Sequence, residues 1–148
     1  MSIYYALLLP QHVRLKILEI RRVLFSKSGH PSFRSQESCI LLGQTEDTTL
    51  TKNVTCPPLP LKVQARATFS ADTLHFPVEK QTLASLRAEL GVSHPYSGIY
   101  LGRKNMEYEG EIPPLNNLRL ALVEVKEEGA ITLWRTIAEK RLLKDKES

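Results

Sequence analysis

Two hexamers in this sequence place the same residue types at the same spacing, 59 positions apart. Residues 38–43 read Ser-Cys-Ile-Leu-Leu-Gly and residues 97–102 read Ser-Gly-Ile-Tyr-Leu-Gly, so both follow Ser-x-Ile-x-Leu-Gly. A serine hydroxyl can hydrogen-bond a phosphate oxygen, but it moves a proton near pH 7 only when another base activates it. Because strand residues two apart face the same side, Ser38 and Ile40 are expected to face together, with Cys39 turned away.

Imidazole is the side chain whose ordinary pKa lies nearest to neutral pH, so the histidines are candidates for proton transfer. His94 lies three residues before Ser97, and it is the one histidine that we single out as a possible substitute base. An ordinary loop histidine is the competing interpretation. His12, His30 and His75 are interpreted as surface, loop or half-buried residues without a chemical role.

Cationic and aromatic side chains near the hexamers offer ways to hold a phosphate or a base. Arg103 directly follows the second hexamer, and Lys62 and Arg66 lie on the polar side of an alternating stretch. Tyr100 lies inside the second hexamer and could stack on a base. Each has a plainer interpretation: an exposed cation, a solvated strand face or a core tyrosine. The basic side of the first helix, with Arg14 and Arg21, is interpreted as solvated in the same way.

The elements that must position these residues follow from hydrophobic periodicity and from the glycines and prolines that interrupt it. A spacing of four, three and four between apolar residues predicts a helix after Pro10 that ends at Gly29, and a second helix is predicted over 79–90. The predicted strands are 2–9, 38–43, 61–69, 73–78, 97–102, 117–125 and 131–137. This order favours an α+β protein in which helices pack on antiparallel sheets.

Length and composition suit one compact domain over residues 1–148, with a highly charged tail at 139–148. A net charge of +4 permits a polyanionic partner without requiring one. Two cysteines without CxxC or zinc spacing predict no metal and no cofactor. The sequence also has neither a membrane-length apolar run nor a secretion signal, so a cytoplasmic protein is expected.

Matching contexts around the two hexamers favour an internal duplication, with the equivalent strands side by side at the centre. The chain resembles the 2H phosphoesterases (the 2′-5′ RNA ligase-like, or LigT-like, family), which carry His-x-Thr or His-x-Ser once in each half. The family pattern Pro-His-x-Thr-Leu-Leu-Gly is similar to SKSGHPSFRSQESCILLGQ at 26–44, and Pro-His-x-Ser-Leu-Gly-Arg to SHPYSGIYLGRK at 93–104. The remaining strands match in order, so the resemblance covers nearly the whole chain.

The resemblance implies a two-lobed, duplicated fold with helices outside antiparallel sheets and a central groove. It also implies that Ser38 and Ser97 stand where the family has its general acid and base, and that Ile40 and Ile99 stand where it has phosphate-binding hydroxyls. We therefore expect no catalytic residue at these degenerate positions. The expected ligand-binding residues are Ser38, Ser97, Arg103, Lys62, Arg66 and Tyr100.

Three functions stay open at this point. The first is a non-catalytic module that binds RNA or a small phosphorylated nucleotide in the groove. The second is a phosphodiesterase, for example a 2′,3′-cyclic phosphodiesterase, with altered catalytic residues such as His94 or Arg103. The third is a protein-interaction scaffold in which an isoleucine-lined groove binds a partner chain.

Overall fold

The computed structural model describes residues 2–34, 39–128 and 131–143, the last range without the side chains of residues 131 and 132. Ser38, one of the two predicted hydroxyls, lies outside the described residues. In chain order the elements are β1 (Ser2–Leu8), α1 (Gln11–Ser28), a 3₁₀ helix (Pro31–Arg34), β2 (Ile40–Thr45), β3 (Thr68–Ser70), β4 (Thr73–Pro77), α2 (Lys80–Leu90), β5 (Gly98–Gly102), β6 (Arg119–Glu128) and β7 (Ile131–Arg141).

The strands form one open antiparallel sheet in the order β3-β4-β5-β2-β1-β6-β7. At its centre β2 pairs with β5, and Ile40 lies opposite Ile99. The strands of the two hexamers are therefore neighbours, as the sequence predicted. The predicted α+β class with antiparallel strands is confirmed, whereas the internal duplication itself stays a prediction.

Both helices form where the apolar spacing predicted them, and both end at a glycine. Gly29 and Gly91 adopt positive φ angles of 67° and 70°, a left-handed conformation that costs glycine little. The N–H of Gly29 donates to the carbonyl of Phe25, which closes the last turn of α1. The buried apolar residues of the two helices are Val13, Ile17, Ile20 and Leu24 in α1 and Leu83, Leu86 and Leu90 in α2.

The stretch predicted as a strand over 61–69 is mostly not one, and this prediction was wrong. Only its end joins β3, while Leu61, Val63 and Arg66 each make a single bridge to a different partner segment. Apolar residues still alternate with exposed polar ones, so the pattern indicated burial rather than a continuous ladder. At the other end, β7 continues to Arg141 and includes the first three residues of the predicted charged tail.

Strand alternation gives the sheet two different faces. On the helix-covered face, Ile40, Leu42, Ile99 and Leu101 join the buried residues of α1 and α2 in one apolar cluster. The opposite face, which we call the groove face, carries a second cluster made of Ala6, Cys39, Leu41, Tyr100, Ala121, Val123 and Trp134. Neither α1 nor α2 is long and apolar enough to cross a membrane.

Candidate functional site

Two cavities share Trp134 as a common wall: one lies on the groove face, and the other lies between α1 and the groove-face residues Cys39 and Val123. The smaller one, the tyrosine pocket, has a volume of about 170 Å³ and is lined by Tyr4, Leu41, Ala71, Thr73, His94, Pro95, Tyr96, Tyr100, Arg103, Val125 and Trp134. The larger one, the arginine pocket, has a volume of about 720 Å³, and its lining includes Arg14, Arg21, Arg34 and Arg135. Together they form the candidate site.

Two polar atoms of residues that line the tyrosine pocket, Trp134 Nε1 and His94 Nε2, are buried without a hydrogen-bond partner among the described residues, and the buried Tyr100 hydroxyl has the Arg103 guanidinium beside it. The exposed fractions of Tyr100 and Trp134 are only 3% and 8%. Leaving such a group unpaired costs about 1–3 kcal/mol, so native proteins keep few of them. A polar ligand is a natural partner for these buried atoms, so the tyrosine pocket is the candidate binding site.

Burial raises the pKa of Tyr100, while the nearby guanidinium groups of Arg21 and Arg103 oppose that rise. The phenol is therefore protonated near pH 7 and can donate as well as accept a hydrogen bond. Its ring packs at 5.1 Å from the Trp134 ring, centroid to centroid. The structure thus places Tyr100, one of the predicted ligand-binding residues, in the lining of the pocket beside Arg103.

His94 lines the same pocket, where its ring meets Tyr96 edge-on at 4.7 Å and Tyr4 at 5.9 Å. Burial, followed by the positive charge of Arg87 and by His75, lowers the pKa of His94 to about 4. The ring is therefore neutral at pH 7. A base with so low a pKa accepts a proton weakly at that pH, since general bases work best when their pKa lies near the operating pH.

Arg103 lies in the lining of the pocket, as the sequence predicted. Its side chain is 45% exposed and forms an ion pair of 2.7 Å with Glu127. The backbone N–H of Arg103 donates to the Ser32 hydroxyl at 2.8 Å, which ties this residue to the 3₁₀ helix. A phosphate that binds Arg103 has to share its guanidinium with Glu127 or replace that carboxylate.

Arg21, in the arginine pocket, is 2% exposed, whereas the sequence predicted a solvated helix face there. Its guanidinium lies 5.8 Å from the Tyr100 ring centroid, and Nη2 donates to the Ser32 carbonyl. Burial lowers the pKa of Arg21 to about 10, so it stays charged at pH 7. The signal was present in the sequence, because Ile17, Ile20, Arg21 and Leu24 share one helical face.

The predicted orientation of the hexamers was wrong by one strand position. Ile40 and Ile99 are fully buried on the helix-covered face, so neither lines a groove. The Ser97 hydroxyl accepts a hydrogen bond of 2.7 Å from Nη1 of Arg87 in α2. Cys39, expected to face away, lies on the groove face, where burial raises the pKa of its thiol to about 12. A shift of one residue exchanges the two faces of a strand, which explains all four differences.

Lys62 and Arg66, the other predicted ligand-binding residues, lie in the irregular segment before β3. Both are exposed, and neither is among the residues that line the two pockets. The structure therefore does not bring them to the site. Within the described part of the chain, no three His, Cys, Asp or Glu side chains come close enough together to hold a metal ion.

Comparisons with known proteins connect this arrangement to solved structures. No family model matches the chain, and no curated protein matches its sequence. Escherichia coli LigT in its apo form matches with a TM-score of 0.62 and 17% identity over 95% of this chain and 96% of that one. A Thermus thermophilus protein matches with a TM-score of 0.60 and 14% identity over 96% of this chain and 98% of that one.

The class of protein that these matches define is an α+β protein with an antiparallel sheet and two helices. More specifically, the chain has the LigT-like fold, as the sequence resemblance implied. Escherichia coli LigT has also been crystallised with NADP⁺, with ATP and with 3′-AMP.

Proposed function

We propose that this protein binds a nucleotide, free or as part of an RNA, on the groove face of its sheet without the proton-transfer chemistry of the 2H phosphoesterases. The observation that carries the proposal is the pair of buried, unpartnered polar atoms in the tyrosine pocket, Trp134 Nε1 and His94 Nε2, beside the Tyr100 hydroxyl and the guanidinium of Arg103. A ligand is the simplest partner for atoms that the rest of the described chain leaves unpaired.

The chemistry of the pocket suits a nucleotide. Its aromatic rings can stack on a base, the indole N–H can donate to a ring nitrogen or carbonyl of that base, and Arg103 can bind a phosphate. A volume of about 170 Å³ is below the roughly 300–1,000 Å³ typical of pockets for whole small molecules. The tyrosine pocket is therefore assigned to one part of the ligand, and the arginine pocket of about 720 Å³ to the remainder.

The fold supports the same proposal, because LigT, with the same fold, has been crystallised with nucleotides. The absence of turnover rests on different grounds. Neither hexamer contains a histidine, and His94 has a pKa of about 4. The cytoplasm is the compartment that we propose, in keeping with the free thiols of Cys39 and Cys56.

Trp134 allows a direct test, because it is the one tryptophan in the sequence and it lines both pockets. We expect 3′-AMP, ATP or a short RNA to change its fluorescence saturably at low salt. No saturable change with any of these ligands would contradict the proposal. A competition experiment between RNA and 3′-AMP then shows whether the two occupy the same groove.

Arg103 and the next residue provide a matched pair of variants. Arg103→Ala is expected to weaken nucleotide binding about 10-fold to 100-fold, since hydrogen bonds to charged groups contribute about 1.5–3 kcal/mol. Lys104→Ala removes an equal charge from an exposed residue outside the lining of both pockets, so its effect should be small. Equal losses in both variants would indicate non-specific attraction instead of a site at Arg103.

A phosphodiesterase with altered residues is the second candidate, and the position of His94 in the pocket favours it. Assays with 2′,3′-cyclic phosphates separate the two functions. We expect binding without hydrolysis. Hydrolysis that is abolished in His94→Ala would replace the non-catalytic part of the proposal while leaving the site where it is. A protein-interaction scaffold with an isoleucine-lined groove is not supported, because Ile40 and Ile99 lie on the helix-covered face.

A further inference from the structure

The sheet has two parts, β3-β4-β5 and β2-β1-β6-β7, which meet where β5 pairs with β2. We call this line of contact the seam, and it is short. Among the described residues, β2 and β5 have one register pair, Ile40 with Ile99, supplemented by a hydrogen bond of 3.3 Å from the Tyr100 N–H to the Cys39 carbonyl. In contrast, β1 pairs with β6 along its whole length. The tyrosine pocket lies over this seam, since Leu41 of β2 and Tyr100 of β5 both line it. Contacts other than the strand pairing must therefore hold β2 and β5 side by side.

Arg87, near the end of α2, spans the seam from the helix-covered side. Its Nε donates to the Leu42 carbonyl at 2.9 Å and Nη2 donates to the Leu41 carbonyl at 3.0 Å, both in β2. Nη2 also donates to the Tyr96 carbonyl at 3.0 Å, and Nη1 donates to the Ser97 hydroxyl at 2.7 Å, both just before β5. One planar guanidinium therefore holds both parts of the sheet at fixed positions.

The residues that Arg87 holds are walls of the tyrosine pocket. Leu41 and Tyr96 line it from opposite sides of the seam. The Tyr96 ring lies between His75, at 4.6 Å, and His94, at 4.7 Å, so displacement of the Tyr96 backbone would move His94 as well. The four acceptors of Arg87 are neutral oxygens, so none of them neutralises its charge. That charge contributes to the low pKa of His94.

We propose that Arg87 is a positioning residue of the groove: it joins β2 to the segment before β5 and thereby sets the width of the tyrosine pocket and the place of His94. Arg87 does not line either pocket, so it acts through Leu41, Tyr96 and His94. Its effect on ligand affinity rests on the proposed function, whereas its effect on His94 does not.

Two substitutions separate the charge of Arg87 from its geometry. Arg87→Lys keeps the charge but cannot reach four acceptors, so nucleotide affinity should fall at least tenfold and the NMR signals of the His94 ring should shift as its contact with Tyr96 changes. Arg87→Met removes both, so affinity should fall as far or further and the pKa of His94 should rise toward 6.5. Leu86→Ala, which opens a hole in the core beside Arg87, is the control for lost stability, and it should change neither quantity at temperatures where it is folded.

The proposal is overturned if the folded Arg87 variants keep the wild-type affinity and the wild-type titration of His94, or if Leu86→Ala reproduces their changes. Ser97→Ala covers the case in which the Arg87 variants do not fold, because it removes one acceptor and leaves the arginine in place. It should weaken binding about twofold to fivefold, and unchanged affinity would count against the proposal. If the wild-type protein binds no nucleotide, the proposed function fails, while the ring contact between His94 and Tyr96 in Arg87→Lys, followed by NMR, still decides the role of Arg87.

Discussion

The two faces of the sheet are built from the same strands yet differ in what they bury. The helix-covered face is packed with aliphatic side chains, such as Ile40, Leu42 and Ile99, that show no exposed surface. The groove face carries small residues, such as Ala6 and Ala121, next to the polar aromatics Tyr100 and Trp134. The helix-covered face is filled by its own apolar side chains, whereas the groove face leaves open space and unpaired polar atoms.

This contrast shows that the groove face has not been filled as a second core. Larger aliphatic side chains at its small positions would bury more apolar surface, and the buried polar atoms of Trp134 and His94 cost free energy while they lack partners. Unfavourable features of this kind concentrate at functional sites. The difference between the faces therefore supports a ligand site even though the histidines of the 2H phosphoesterases are absent from the central strands.

The largest effect that we predict compares two neighbouring leucines on opposite faces. Leu42→Ala should lower the free energy of unfolding by about 2–5 kcal/mol, because it creates a cavity in the closed, helix-covered core. Leu41→Ala should cost less than half as much, because Leu41 borders the tyrosine pocket and its removal enlarges an existing space. Urea denaturation measures both. Equal losses would remove the distinction between a closed and an open face.

A smaller effect concerns the pH dependence of stability, to which His94 on the groove face should contribute. Because its pKa falls to about 4 from an unfolded value of 6.5, the unfolded state binds more protons between these two values. Stability should therefore rise with pH across this window and fall as pH drops. His94→Gln should flatten the rise between pH 5 and 7, leaving a part due to His75, whose pKa burial also lowers. An unchanged slope in this variant would show that His94 is not shielded as described.

The smallest effect on stability concerns two tyrosines on opposite faces. Tyr100→Phe removes a hydroxyl whose neighbour is the exposed guanidinium of Arg103, so the free energy of unfolding should stay within about 1 kcal/mol. Tyr5→Phe removes a hydroxyl that donates to the Asp47 carboxylate, so it should destabilise the protein. Ligand affinity should fall in Tyr100→Phe and stay unchanged in Tyr5→Phe. A Tyr100→Phe protein that binds as well as wild type would exclude the hydroxyl from the site.

Most of the fold followed from periodicity and from the glycines that stop both helices, together with the family resemblance for the order of strands. The orientation of the hexamers did not follow, because Cys39, Ile40, Leu41 and Leu42 are all apolar and their pattern does not say which two face the helices. Both faces bury their residues there, and only the packed helices distinguish them.

Of the candidate site, His94 and Arg103 were singled out because they flank the second hexamer, and Tyr100 was singled out as an aromatic residue inside it. Trp134 was missed because it lies in the closing hairpin, far along the chain, and reaches the pocket only through the sheet order. Arg87 was missed although Leu83, Leu86, Arg87 and Leu90 share one face of α2. An arginine at an apolar position of a helix was a signal of burial that the sequence contained.

The central claim is that the unpaired polar atoms of the groove face hydrogen-bond a ligand. The indole N–H of Trp134 tests this claim most directly. This chain has one indole group, so its NMR signal is assigned without ambiguity. Titration with 3′-AMP should shift that signal saturably as the N–H gains an acceptor, and the shift should be lost in Arg103→Ala at the same nucleotide concentration. An indole signal that stays in place while nucleotide binds elsewhere, or does not bind at all, would contradict the account.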